Sequence, residues 1–393
     1  GYLDMIDLPH NCIFNKVRTG CGGTTIALRN EENYIIAVPT TELIVNKLNS
    51  TENLFGLYGD FTPTLKDGLI SYTQRDGVKK IMCTYDKLPK LVELINTTDY
   101  RLLVDEYHNL LKQYMFRSTA INGVLDNFRE FKSFCFMSAT SIDAELKPDV
   151  LKDVPEYYAD WKEKQNLFIA PFQSNKPYQY VTNFINHYKK DGFITINGHK
   201  SYEAFFFLNS VGEIANIIKS SGLTNENCRV ICANERENRE KLGDITISSS
   251  VSESKQFNFI TCKSFEGADF FSETGLCFVV SNVHVKHTLA SIDLDIPQIA
   301  GRIRNKENPF RNMVIHIFNT KHDDSFMSYE DYKEATKKEL DIAKERATAF
   351  NLLSPEAKKQ QAKEVKDSLY IRYANGVFEV NDRIVNYKLY EYK

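Results

Sequence analysis

Three stretches of this 393-residue chain set small, hydroxyl or acidic residues at the ends of apolar runs. The first is Arg18-Thr19-Gly20-Cys21-Gly22-Gly23-Thr24-Thr25, which follows a strand-like run and precedes the helix-like Ile26-Ala27-Leu28. Closely spaced glycines let backbone N–H groups turn inward around an anion. A helix starting just after them adds partial positive charge. Residues 19–25 therefore form a candidate phosphate cradle, with Thr24 where a hydroxyl would ligate Mg²⁺. A plain glycine-rich turn is the competing reading of the segment alone. Gly23 stands directly before Thr24, where such loops usually carry a lysine for the β- and γ-phosphates of a nucleotide. Lys16, Arg18 or a residue from another part of the chain must then supply that charge, or hydrolysis is weak or absent.

The second stretch is Leu102-Leu103-Val104-Asp105-Glu106-Tyr107-His108. An apolar strand running into two carboxylates puts them where ligands bind in an open α/β sheet. Asp105 is expected to hold Mg²⁺ with Thr24, and Glu106 to polarise an attacking water as general base. The third, Phe136-Met137-Ser138-Ala139-Thr140, ends another strand with hydroxyls able to hydrogen-bond the carboxylate pair. An acidic turn and a strand end are the unspecialised alternatives. The case rests on their order behind the glycine-rich loop.

The second half carries Thr261, a candidate phosphate contact, then Gly267 and Asp269, suited to close approach and to a ribose hydroxyl. Gln298-Ile299-Ala300-Gly301-Arg302-Ile303-Arg304 follows. Arg302 and Arg304, expected on a helix, suit an arginine finger, which contributes about 10³–10⁵ in phosphoryl-transfer rates. Two surface arginines are the alternative.

Positioning these groups requires strands at residues 12–17, 34–38, 55–58, 78–83, 101–104 and 133–137, with helices at 41–48, 85–95 and 118–129 between them. Strands rich in Ile, Val, Leu and Phe without alternation are buried on both faces, and their alternation with helices implies a parallel sheet. The rhythm restarts with strands at 193–196, 229–232, 257–262, 276–281 and 313–318 and helices at 177–189, 201–220 and 296–303. The expected organisation is a lobe at 1–145, a linker region with a flanking helix at 146–176, a second lobe at 177–325, and a C-terminal appendage at 326–393. The appendage has two charged helices and a hairpin at Asn375-Gly376.

Composition is that of a globular protein, 42% hydrophobic and 26% charged, with net charge −3. Any nucleic-acid groove is therefore local and salt-sensitive. No apolar run reaches the ~20 residues of a membrane span. The first residues lack the basic and apolar segments of a signal peptide. Eight cysteines, mostly in apolar runs, fit buried thiols in a reducing cytoplasm. Cys228 and Cys232 have a metal-like spacing but no second pair at a matching distance.

In order and spacing these segments resemble the motif set of superfamily 2 helicases, the DEAD/DEAH-box-like group. Gly20–Thr24 resembles motif I. Ala37-Val38-Pro39-Thr40 resembles motif Ia, and Cys83-Thr84-Tyr85 the further backbone-contacting segment. Asp105-Glu106-Tyr107-His108 resembles the DExH box, Ser138-Ala139-Thr140 motif III, Thr261–Asp269 motif V and Gln298–Arg304 motif VI. The resemblance covers about residues 11–320. It implies two tandem RecA-like lobes that bind ATP and Mg²⁺ and act on nucleic acid, DNA being favoured. Pro39, Thr40, Thr84 and Thr261 would touch its backbone. The sequence departs from the pattern at Gly23 and at Asn305, where motif VI often has another arginine. Little chain precedes the first strand to read adenine. So divergent a set resembles phage or mobile-element replication helicases, which work in the host cytoplasm. Two rival readings are a helicase-fold module that binds nucleic acid or assembles a complex without hydrolysis, and an unrelated phosphate-loop NTPase acting on proteins.

Overall fold

The computed structural model describes residues 2–162, 166–265, 268–321 and 327–393. It divides into two compact units. The first contains Met5–Asn15, Thr24–Tyr157 and the C-terminal segment; the second contains residues 2–4, Lys16–Gly23 and the chain from Tyr158 up to the C-terminal segment.

In the first unit the strands are β1 (Cys12–Asn15), β2 (Tyr34–Val38), β3 (Phe55–Leu57), β4 (Lys80–Thr84), β5 (Arg101–Asp105), β6 (Ser133–Ser138) and β7 (Glu156–Tyr158). They lie in the order β3-β4-β2-β5-β6-β1-β7, and the pairs from β3 to β1 are parallel. Five of these strands, β1, β2, β4, β5 and β6, are buried along most of their length, as uninterrupted apolar runs require. Helices α1 (Gly23–Arg29), α2 (Thr41–Leu48), α3 (Pro63–Thr73), α4 (Leu88–Val92), α5 (Asn109–Lys112) and α6 (Tyr114–Asn127) connect them. The Thr62 hydroxyl caps α3, with Pro63 in its first turn. The expected helix at 85–95 is instead a 3₁₀ turn, Tyr85–Lys87, leading into the short α4.

In the second unit β8 (Phe168–Gln173), β11 (Glu203–Phe207), β12 (Cys228–Ile231), β13 (Phe257–Ile260), β14 (Gly275–Ser281) and β15 (Met313–Phe318) form a parallel sheet in the order β12-β13-β11-β14-β15-β8. A separate antiparallel hairpin joins β9 (Ile194–Ile196) and β10 (His199–Ser201). The helices are α7 (Pro177–Asp191), α8 (Val211–Ser221), α9 (Arg236–Leu242) and α10 (Asp295–Ala300).

Three expectations need correction here. Residues 201–220 are not one helix: Glu203–Phe207 is an interior strand, and the helix begins at Val211. The Ala204–Phe207 run has no polar residue to reveal its period. Along it Phe206 enters the core beneath α7 and α8, while Phe205 and Phe207 enter the core beneath α10. The strand expected at 193–196 is present as Ile194–Ile196, but it pairs with β10 in the separate hairpin rather than joining the six-stranded sheet. The stretch 146–176 holds no α-helix among its described residues and has a 3₁₀ turn at Asp149–Leu151; it gives β7 to one sheet and β8 to the other.

The C-terminal segment folds as α11 (Tyr329–Asn351), α12 (Pro355–Glu364), β16 (Ile371–Ala374), β17 (Val377–Val380) and α13 (Ile384–Tyr392). Asn375 and Gly376 both have positive φ, as a two-residue hairpin turn demands. Ile384, Tyr387 and Leu389 of α13 are buried in the first unit's core. Among the described residues no helix is long and apolar enough to cross a membrane.

Candidate functional site

In the first unit the ends of β5 and β6 and the start of α1 meet. The Thr24 hydroxyl donates to Asp105 Oδ2 at 2.6 Å. Asp105 Oδ1 accepts the Glu106 N–H at 3.0 Å. Glu106 has φ +51°, a strained value for a residue with a side chain, and it turns the chain sharply out of β5. The turn is held from behind. The buried Tyr85 hydroxyl donates to the carbonyls of Asp105 (2.7 Å) and Glu106 (3.2 Å), and the Asn109 amide donates to Glu106 O at 3.1 Å. Fully buried His108 lies 3.5 Å from Glu106 Oε2 and hydrogen-bonds Ser138 Oγ through Nδ1 at 2.8 Å. Ser138 Oγ in turn accepts the Thr140 N–H at 3.0 Å. The sequence reading missed Tyr85 and Asn109 as positioning groups. Their signal, a tyrosine after β4 and an asparagine three residues past Glu106, has meaning only once the strands are adjacent.

Residues 16–23 form the loop before α1. Val17 (φ +61°), Gly20 (+63°) and Gly22 (+90°) curl it through left-handed positions. The Lys16 carbonyl accepts from Arg18 N (2.6 Å) and from the Trp161 indole (2.9 Å), and the Arg18 guanidinium lies 4.5 Å over that indole. Cys21 O accepts from Leu3 N at 2.9 Å. Thr25 follows Thr24 in α1.

The arginine-bearing segment packs on this loop within the second unit. Phe270 N donates to Arg302 O and Arg304 N donates to Phe270 O, both at 2.8 Å. This short bridge sets Arg304 beside Asp269, with Nε to Oδ1 at 2.7 Å. Arg304 Nη1 donates to Thr19 Oγ1 at 3.3 Å. A Cβ at Gly20 would fall 2.6 Å from Arg304 Cζ, and one at Gly301 would overlap the Thr19 side chain. Glycine at both places is what permits the approach. Buried Arg302 donates instead to Gln298 O (2.9 Å), Gln298 Oε1 (3.3 Å) and Ala268 O (3.4 Å), and lies 3.8 Å from Asp269. Helix α10 stops at Ala300, so both arginines follow the helix rather than ride on it.

Thr40 N-caps α2 without a side-chain cap bond, and the preceding Pro39 carbonyl accepts from Arg117. Thr84 is buried at the end of β4. Thr261 is buried after β13, its hydroxyl 3.4 Å from Ile231 O. Gly267 lies outside the described residues. Among the described residues no group of three His, Cys, Asp or Glu side chains is placed to hold a metal. Thr24 and Asp105 offer two hard oxygen donors, which suits Mg²⁺, an ion that takes most of its ligands from water and phosphate.

No family model and no curated protein matches the chain. Solved structures do. The DEAD-box helicase Mss116 bound to ssRNA and UDP-BeF matches with a TM-score of 0.53 at 13% identity, covering 88% of this chain and 81% of that one. S. cerevisiae Dbp5 bound to RNA and ADP BeF3 matches with a TM-score of 0.50 at 13% identity, covering 84% of each. The chain shares the fold of these two structures, and its own fold is two parallel sheets, each with flanking helices.

Proposed function

We propose that the protein is an ATP-dependent motor on nucleic acid, a translocase or helicase that grips the backbone of one strand. The observation that carries this is the Thr24–Asp105 hydrogen bond of 2.6 Å beside Glu106. It sets the first hydroxyl of α1 against a carboxylate at the end of β5, the pair of oxygen donors a nucleotide's Mg²⁺ requires. Thr24 and Asp105 would hold Mg²⁺, which would neutralise phosphate charge. The loop Thr19–Gly23 wraps the phosphates. Glu106, fixed by Tyr85 and Asn109, accepts a proton from the attacking water. Arg304, presented to Gly20 and Thr19, stabilises transferred charge, while Arg302 and Gln298 hold the segment that presents it. Asp269 fixes Arg304 and borders the ribose. Pro39 and Thr40, after β2, contact the nucleic-acid backbone in the first unit, which brings little sequence preference, while buried Thr84 and Thr261 close strand ends within their own units.

Dbp5 and Mss116 are described with RNA; the sequence favoured DNA in replication or recombination. ATP hydrolysis measured with single-stranded DNA, single-stranded RNA and neither tests the function and chooses between them. Stimulation by one polymer, abolished in Glu106→Gln, supports the motor. Gly23 in place of lysine favours a second reading, a module that binds nucleic acid or assembles a complex without hydrolysis. Nucleic-acid binding with no turnover above the Glu106→Gln background is its signature.

A further inference from the structure

The loop has lost the lysine of its type, and the structure surrounds it with arginine. The Nη2 atom of Arg18 is buried with no hydrogen-bond partner among the described residues. The Arg304 guanidinium lies against Gly20 and Thr19. Arg311 is half-buried; burial lowers its pKa from the usual arginine value, and the nearby charges of Arg304 and Arg18 lower it further. Among the described residues neither Arg18 nor Arg311 is ion-paired. Asp269 lies beside both Arg302 and Arg304. Like charges gathered around a backbone cradle repel one another unless an anion joins them. A surplus of guanidinium calls for a ligand with several negative charges, and guanidinium forks match phosphate oxygens.

We propose that Arg18 carries the charge that Gly23 cannot, binding the β- and γ-phosphates of a nucleoside triphosphate together with Arg304. This rests on the nucleotide reading above and names a residue that reading does not use. It also explains the packing of Arg18 on Trp161. The chain's single tryptophan steadies the guanidinium by its ring face while the indole N–H fastens the Lys16 carbonyl at the loop's entry. Phosphate drawing on Arg18 alters the environment of that indole.

The test titrates Mg·ATP and AMP into the full chain, following Trp161 emission and equilibrium dialysis. The wild type should bind ATP far more tightly than AMP, with a change in emission. Arg18→Ala and Arg18→Gln should each weaken ATP about ten- to a hundredfold, the loss expected for a charge-assisted hydrogen bond, and leave AMP nearly unchanged. Gly23→Lys should restore ATP affinity to Arg18→Ala. Arg18→Gln keeps a polar side chain over the Trp161 ring and answers the question if Arg18→Ala does not fold. Wild-type ATP binding with both substitutions silent, or with ATP and AMP weakened alike, overturns the inference and leaves the nucleotide reading standing. A wild type that binds no ATP overturns both.

Discussion

The Thr24 hydroxyl donates to the Asp105 carboxylate at 2.6 Å across 81 residues of sequence. The bond orders one hard oxygen donor against another, and it fixes where α1 begins relative to the end of β5. Thr24→Ala removes the donor without touching the core. The expected result is a fall in ATP turnover of about 10²–10³, the usual loss when one preorganised polar group leaves an active site, together with a higher Mg²⁺ requirement and an unchanged melting temperature. Turnover equal to the wild type would remove Thr24 from the site.

His108 and Ser138 make a buried pair at 2.8 Å. Ser138→Ala removes the 2.8 Å hydrogen bond to buried His108 Nδ1, which costs about 0.5–1.5 kcal/mol. Denaturant unfolding should show that loss in the first unit, and ATP affinity should hold while turnover drops. A variant as stable as the wild type contradicts a structural role for this pair.

The C-terminal segment is part of the first unit's core. Arg383 donates to Asn122 (2.7 Å) and Asp126 (2.8 Å), the Tyr114 hydroxyl donates to Asn381, and Leu389 is 4% exposed. Leu389→Ala should cost about 2–5 kcal/mol, read as earlier unfolding of the unit that holds Thr24 and Asp105. If only the tail loosens and that unit melts as before, the segment is a separate appendage.

Lys80 offers a pH test. Its ammonium is buried, donating to Ala27 O and Asn30 Oδ1 at 2.7 Å each and to Glu32 O at 2.5 Å. Burial depresses its pKa to about 8, against the pull of Glu31 and Glu32. Below pH 8 the group is charged folded and unfolded, and the burial cost is carried in full. Between pH 8 and the unfolded value of ~10.4 the folded protein loses the proton first, so Lys80 makes stability rise with pH there. Lys80→Met should be flatter over that window in denaturant titrations at pH 7.5 and 10; parallel slopes contradict this.

Much of the first unit was legible because its strands are unbroken apolar runs. Tyr34–Val38 and Thr41–Leu48 stand where the pattern put them. The interior strand Glu203–Phe207 was not, since three successive phenylalanines give neither a helical nor an alternating period, and only their division between two cores reveals the strand. Helix α3 carried a usable signal, Thr62-Pro63, that went unread. Thr24, Asp105 and Ser138 could be named because strand ends gather ligands in a parallel sheet. Tyr85 and Asn109 could not, because each matters only through the sharp turn at Glu106 that the fold creates.

The most direct measurement is steady-state ATP hydrolysis by the wild type and Glu106→Gln, each with single-stranded DNA, single-stranded RNA and no polymer. The account predicts turnover that one polymer stimulates and that Glu106→Gln abolishes while still binding ATP. Turnover indistinguishable from Glu106→Gln under every condition, with nucleic acid still bound, would contradict the motor and leave a binding module on a helicase fold.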